Sequence, residues 1–189
     1  NPKKSKAFSF WQLPVVDKEG VVIDLILFSD YKIPWAKLYT DHEEEINISE
    51  TIKSTWWGMG PKVKEFENLL SDYLWVKHAI AVNSGTAALD VAQKIIGIKS
   101  GDEIIVPSFT YIATVNSILY QHATPVFSDI HPETFTLDPN DVEKRITKKT
   151  KCIISVDYAG HPADYEKLRQ IADENDLKLI EDGAPGLGG

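Results

Sequence analysis

Three stretches of this chain end an apolar run in residues able to hold or polarise a ligand. The first, Ala81-Val82-Asn83-Ser84-Gly85-Thr86-Ala87-Ala88-Leu89, reads as a strand entering a helix through a turn of small residues. Free amides at a helix N-terminus, with the helix dipole behind them, attract an anion, and Gly85 permits close approach of a phosphate. The same residues also suit a helix that Asn83 or Ser84 merely caps, and spacing alone leaves both readings open. The second stretch, Leu177 to Ala184, closes a hydrophobic strand with Glu181, Asp182 and Gly183. Ligands of open α/β sheets collect beyond the carboxyl ends of the strands, so Asp182 is expected to face the same crevice as the Ser84 turn. A solvated loop acid is the bland alternative. The third, Pro107 to Thr114, sets aromatic residues at another strand end, where a ring lies flat against a planar ligand or packs into the core. A fourth strand ends in Val156 to Asp164, where Gly160 and Pro162 force a tight turn.

Other chemistries lack their residues. The five histidines, His42, His78, His122, His131 and His161, include no pair at the i, i+4 spacing of a helical zinc site, so no metal is expected. There is no G-x-S-x-G elbow and no Walker lysine loop, which removes support for hydrolase and NTPase readings. The single cysteine, Cys152, cannot form an internal disulfide and suits a reducing, cytoplasmic setting. With 20 Lys and Arg against 28 Asp and Glu, the net charge of −8 argues against nucleic acid or an anionic membrane as partner. The apolar run Val21 to Phe28 is interrupted by Asp24 and falls far short of the ~20 residues of a membrane helix. Lys3, Lys4 and Lys6 before Phe8 to Val16 imitate a signal peptide, but Gln12 and Pro14 break the run.

The elements that must position these residues alternate along the chain. Strands are expected at Ala79–Val82, Glu103–Pro107, Pro125–Ser128, Lys151–Val156 and Leu177–Glu181, with starts roughly two dozen residues apart, enough for a strand, a crossover helix and two loops. Helices are expected at Gly85–Ile96, Tyr111–His122, Asp138–Arg145 and Ala163–Asn175. The first carries so many apolar residues that it is expected to be buried all round. Upstream, Pro61 opens a helix, and Asp41 caps another over Asp41–Lys53 with acids in its first turn. This is an α/β pattern: a three-layer fold with a mostly parallel sheet and helices on both faces. Residues 1–32 stand outside it as a β-rich extension, with Val15-Val16, a turn at Asp17–Gly20 and Val21–Phe28 suggesting a hairpin.

Taken together, the motifs resemble one family, the sugar aminotransferases of the DegT/DnrJ/EryC1/StrS group, which depend on pyridoxal phosphate and share the aspartate-aminotransferase fold. The matching residues are Gly60-Pro61-Lys62-Val63, Asn83 to Leu89, Pro107 to Thr114, Pro125 to Ile130, Asp157 to Asp164 and Glu181-Asp182, in family order across 33–189. The resemblance implies that 33–189 is part of the large domain of such an enzyme. It implies further that the amides of Gly85 and Thr86 hold the cofactor phosphate, that Tyr111 stacks on the pyridine ring and that Asp182 binds the ring nitrogen. The substrates implied are an amino-acid donor, glutamate, and a keto-sugar nucleotide, in a homodimer with its active sites at the interface.

The sequence departs from the family twice. Pro185 stands where the family usually has histidine or glutamine, and no lysine matches the serine, histidine and lysine segment that supplies the Schiff-base lysine. The chain is therefore expected to stop before that lysine and before the C-terminal domain, to contain no catalytic residue of its own and to be inactive alone. A non-catalytic binding or interaction module that keeps the fold is the competing reading. A nicotinamide-dinucleotide domain is disfavoured, because its turn needs G-x-G-x-x-G and this one has a single glycine.

Overall fold

The computed structural model describes residues 12–16, 18, 22–27 and 40–187. Residues 1–11, 28–39, 188 and 189, most of the expected 17–20 turn and the expected 32/33 boundary lie outside them. The chain forms two compact units, residues 1–65 and 66–189.

In the first unit, β1 (Gln12–Val16) pairs antiparallel with β2 (Val22–Leu27), with a register shift between Val15 and Val16. Helix α1 (His42–Ser54) starts where the sequence places its cap. The Asp41 carboxylate accepts from the Glu43 amide at 2.8 Å, and the Asp41 amide donates to Glu44 at 2.7 Å. This reciprocal box and the three acids of the first turn satisfy helix donors without any core. Thr55 ends the helix in the left-handed region at φ 62°. Helix α2 (Pro61–Tyr73) then begins at its proline and crosses into the second unit. Neither α1 nor α2 contains a buried residue.

The second unit carries a four-stranded parallel sheet, β3 (Glu103–Pro107), β4 (Thr124–Ser128), β5 (Thr150–Val156) and β6 (Lys178–Asp182), in the order β4-β3-β5-β6. Helices α3 (Gly85–Ile95), α4 (Ile112–Tyr120), α5 (Pro139–Arg145) and α6 (Tyr165–Glu174) connect or precede its strands. Period-2 alternation sends Ile104, Val106, Cys152 and Ile154 to one face, where they pack with Ile118 of α4. Ile105 and Ile153 go to the other, against Val142 of α5 and Leu168 and Ile171 of α6. Helices therefore cover both faces, and the three layers are those expected. The chain leaves β3 toward β4 but leaves β5 toward β6, so the loops after β3 and β5 diverge. Such a switch point opens a crevice at the carboxyl ends of the strands.

Two expectations are corrected. Ala79–Val82 is not a strand: it pairs with no strand among the described residues, and the Ala81 amide donates instead to the Glu67 carboxylate at 3.0 Å. Its alternation of half-buried and exposed residues survives, but a strand needs a neighbour's backbone as well as a pattern. Helix α3 is not buried all round either. Leu89 and Gln93 are buried on the α4 side, whereas Ile95 is 71% exposed. Apolar composition set its expected burial, yet only one flank has a helix against it.

Candidate functional site

At the N-terminus of α3, Ser84 occupies the cap in an extended conformation. Its Oγ accepts from the Ala87 amide at 3.1 Å and its carbonyl from the Ala88 amide at 3.0 Å. The amides of Gly85 and Thr86 have no hydrogen-bond partner among the described residues. A Cβ placed on Gly85 would meet no atom within 4 Å, so the space before these amides is open. Capping and anion binding, alternatives in the sequence, are compatible here: Ser84 satisfies the third amide of the helix and leaves the first two.

Asp182 ends β6, opposite Val156 of β5 in the register, and its carbonyl accepts from the Asp157 amide at 3.3 Å. Its carboxylate is held on both oxygens. Oδ2 accepts from the Thr114 hydroxyl at 2.8 Å and Oδ1 from the Ala184 amide at 3.3 Å. Thr114 is fully buried in the first turn of α4, and its hydroxyl also meets that of Thr110 at 2.9 Å. Tyr111 is the cap residue of the same turn and is 77% exposed. One helical turn thus presents Tyr111 to solvent and turns Thr114 inward onto Asp182. The body of α3 is tied to α4, because Gln93 of α3 donates to Ser117 of α4 at 2.6 Å and Gln121 donates to Asp90.

Beside Asp182, the loop after β5 carries a buried acid. Asp157 Oδ1 accepts from the Ala163 amide at 3.2 Å and from the Tyr165 hydroxyl at 2.6 Å. Burial first, and then the neighbouring Asp157, push the Tyr165 phenol well above its usual range. Partial burial and the charge and hydrogen bond of Asp157 raise the Glu181 carboxyl. The loop after β6 lies directly on this acid: a Cβ on Gly186 would come within 2.6 Å of the Asp157 Cβ, so only glycine fits. Across the mouth of the crevice, Phe109 stacks at a tilt on Tyr158, with centroids 4.4 Å apart, and on Phe135 at 5.9 Å. Cys152 is no nucleophile, since burial pushes its thiol up to about 12.

The sequence points to Gly85, Thr86, Tyr111 and Asp182, names Thr114 and Asp157 within its motifs without giving them a role, and overlooks Ser117 and Gln121. A signal for Thr114, Ser117 and Gln121 was present as polar residues spaced three and four apart on an otherwise apolar helix. Among the described residues, no group of three or more His, Cys, Asp or Glu side chains is placed to hold a metal, and no helix is long and apolar enough to cross a membrane.

Comparison with known proteins assigns the class. The family model of the DegT/DnrJ/EryC1/StrS aminotransferase family matches residues 39–189, and the chain belongs to that family. It is 42% identical over 147 residues to GDP-perosamine synthase of Escherichia coli O157:H7, a match covering 77% of this chain and 40% of that protein. It is 37% identical over 183 residues to the 3-oxo-glucose-6-phosphate:glutamate aminotransferase of Bacillus subtilis (strain 168), covering 90% of this chain and 42% of the relative. Among solved structures, NtdA from Bacillus subtilis with bound cofactor PMP superposes with a TM-score of 0.78 at 37% identity, over 83% of this chain and 38% of NtdA. The chain spans about two fifths of the length of the curated relatives it matches.

Proposed function

We propose that these residues form the cofactor-binding part of a pyridoxal-phosphate-dependent aminotransferase that moves an amino group from glutamate to a keto-sugar nucleotide. The observation that carries this reading is the pairing of two unpartnered amides at α3 with a doubly hydrogen-bonded carboxylate at β6, linked through α4. The amides of Gly85 and Thr86 hold the phosphate, the Tyr111 ring lies on the pyridine face, and Asp182 accepts from the protonated ring nitrogen. The cofactor, when bound, supplies a carbonyl that takes up the amino group and a ring that withdraws electrons. The family match and the names of the relatives support the amino transfer and the sugar class. The glutamate donor rests on the Bacillus subtilis relative.

No lysine among the 189 residues occupies the family position, so the chain alone binds the cofactor reversibly and does not catalyse transfer. Pro185 offers no side-chain hydrogen bond, which leaves Asp182 and its partners to orient the ring. Exposed Ile80, Ile95 and Trp75 in the second unit favour self-association into a dimer. The test is reduction with borohydride in the presence of pyridoxal phosphate, read by peptide mass spectrometry. Sparse labelling spread over surface lysines is expected. Stoichiometric labelling of one lysine, abolished by Asp182→Ala, would show that the chain has its own catalytic amine.

A further inference from the structure

Helix α4 is largely apolar, yet Thr114, Ser117 and Gln121 place polar side chains on a buried flank. Each binds an element that carries part of the site. Gln121 binds Asp90 of α3, and Ser117 accepts from Gln93 of α3 at 2.6 Å while donating to the Thr114 carbonyl at 2.9 Å. Thr114 reaches β6 through Asp182 Oδ2 at 2.8 Å. Two sets of hydrogen bonds, one to α3 and one to Asp182, therefore meet on α4 at Thr114, whose carbonyl takes part in the first and whose hydroxyl in the second.

The direction of these bonds follows from what each group can do. A carboxylate only accepts, so the single Thr114 hydroxyl proton is committed to Asp182. Thr114 Oγ1 must then accept from Thr110, 2.9 Å away, so the two hydroxyls form a donor chain, Thr110 to Thr114 to Asp182. Aligned donors of this kind polarise one another and hold the acceptor in one orientation. Thr114 has no solvent exposure, so water cannot replace its bond.

We propose that Thr114 is a positioning residue for the ring nitrogen of the cofactor. Backed by Thr110, and braced through Ser117 and Gln121 on α3, it makes α4 a strut that fixes the Asp182 carboxylate relative to Tyr111 and to the α3 N-terminus. The strut rests on the reading of Asp182 as the partner of the ring nitrogen. It also gives a physical role to the polar flank of α4, and it supplies an orientation that Pro185 cannot.

The test uses pyridoxamine phosphate, which already carries the amino group and needs no lysine. The 189-residue chain and its variants Thr114→Val, Thr114→Ser, Thr110→Val and Asp182→Ala are titrated by calorimetry, and the absorbance of the bound ring is followed against pH. Thr114→Val keeps the shape of the side chain and removes the hydroxyl. Affinity is expected to fall about tenfold, as for loss of one hydrogen bond to a charged group. The pH at which the bound ring loses its nitrogen proton is expected to drop by about one unit, since the acid beside it is less well aimed. Thr114→Ser restores both values to within about threefold in affinity. Thr110→Val, at a half-buried site, weakens binding about threefold and carries the same two readouts if Thr114→Val fails to fold. An unchanged affinity and titration in Thr114→Val and Thr110→Val, with Asp182→Ala weakened, overturns the strut and leaves the cofactor reading standing. Equal binding by the parent chain and Asp182→Ala, or none by either, overturns the cofactor reading and the strut with it.

Discussion

At the N-terminus of α3 two backbone amides face open space, with no atom within 4 Å of where a Gly85 side chain would begin. At the end of β6, in contrast, both oxygens of Asp182 are engaged, one by a fully buried hydroxyl and one by an amide of the following loop. The first is built from backbone alone and, on the proposed function, is completed by the phosphate of the cofactor. The second is a side chain held by one hydroxyl and one backbone amide, and is set before any ligand arrives. A phosphate tolerates approach over a cone of amides, whereas a ring nitrogen presents one proton in one direction. The different construction of the two ends matches the different precision that the two proposed roles require.

Asp182 rests directly on the sheet, as the last residue of β6. Ile153 on β5 is fully buried in the core beneath α5 and α6. Ile153→Ala is expected to cost about 3 kcal/mol of stability, seen as a lowered urea midpoint. An intact midpoint would mean that this core does not stabilise the strands that end at Asp182.

A smaller effect separates the ends. Gly85→Ala adds a methyl group where nothing is in the way, so stability should change by less than about 0.5 kcal/mol. Its Cβ enters the space offered to the phosphate, and affinity for pyridoxamine phosphate should fall about tenfold by calorimetry, the loss of roughly one hydrogen bond. A variant that binds normally would show that the phosphate does not approach these amides.

The smallest effect concerns the acids beside Asp182. The Glu181 carboxyl is raised in the folded chain by partial burial and by Asp157. The native state therefore holds this proton more tightly than the unfolded chain, and the associated stability is lost as pH rises from the ordinary carboxylate range through the raised value. Glu181→Gln removes the penalty, so it should raise the melting temperature more at about pH 7 than at about pH 4. An equal change at both values would dissociate Glu181 from Asp157.

How much of this was legible in the sequence depends on where the information sits. Asp41 and Pro61 announce helix starts by local chemistry, and α1 and α2 form there without a buried residue between them. The four paired strands are legible because alternating or continuous β-branched residues fill both faces of the sheet. Ala79–Val82 has a comparable pattern but no strand beside it, and pairing is a tertiary fact that a pattern cannot hold. Gly85 and Asp182, the two ends of the proposed site, stand out in the sequence because one lies where a helix begins and the other where a strand ends. Thr114 was visible only as a polar residue on an apolar helix; its role was not, because that depends on Asp182, 68 residues further along the chain.

The most direct test of the two-ended site follows the backbone amide resonances of the 15N-labelled chain during titration with pyridoxamine phosphate and, separately, with pyridoxamine, which lacks the phosphate. With the phosphorylated ligand, the amides of Gly85 and Thr86 should shift together with those of Thr114, Asp182 and Ala184. With pyridoxamine, the Asp182 group should still respond at higher ligand concentration while Gly85 and Thr86 stay in place. Shifts at Gly85 and Thr86 without any at Asp182, or shifts confined to other parts of the chain, would contradict the account.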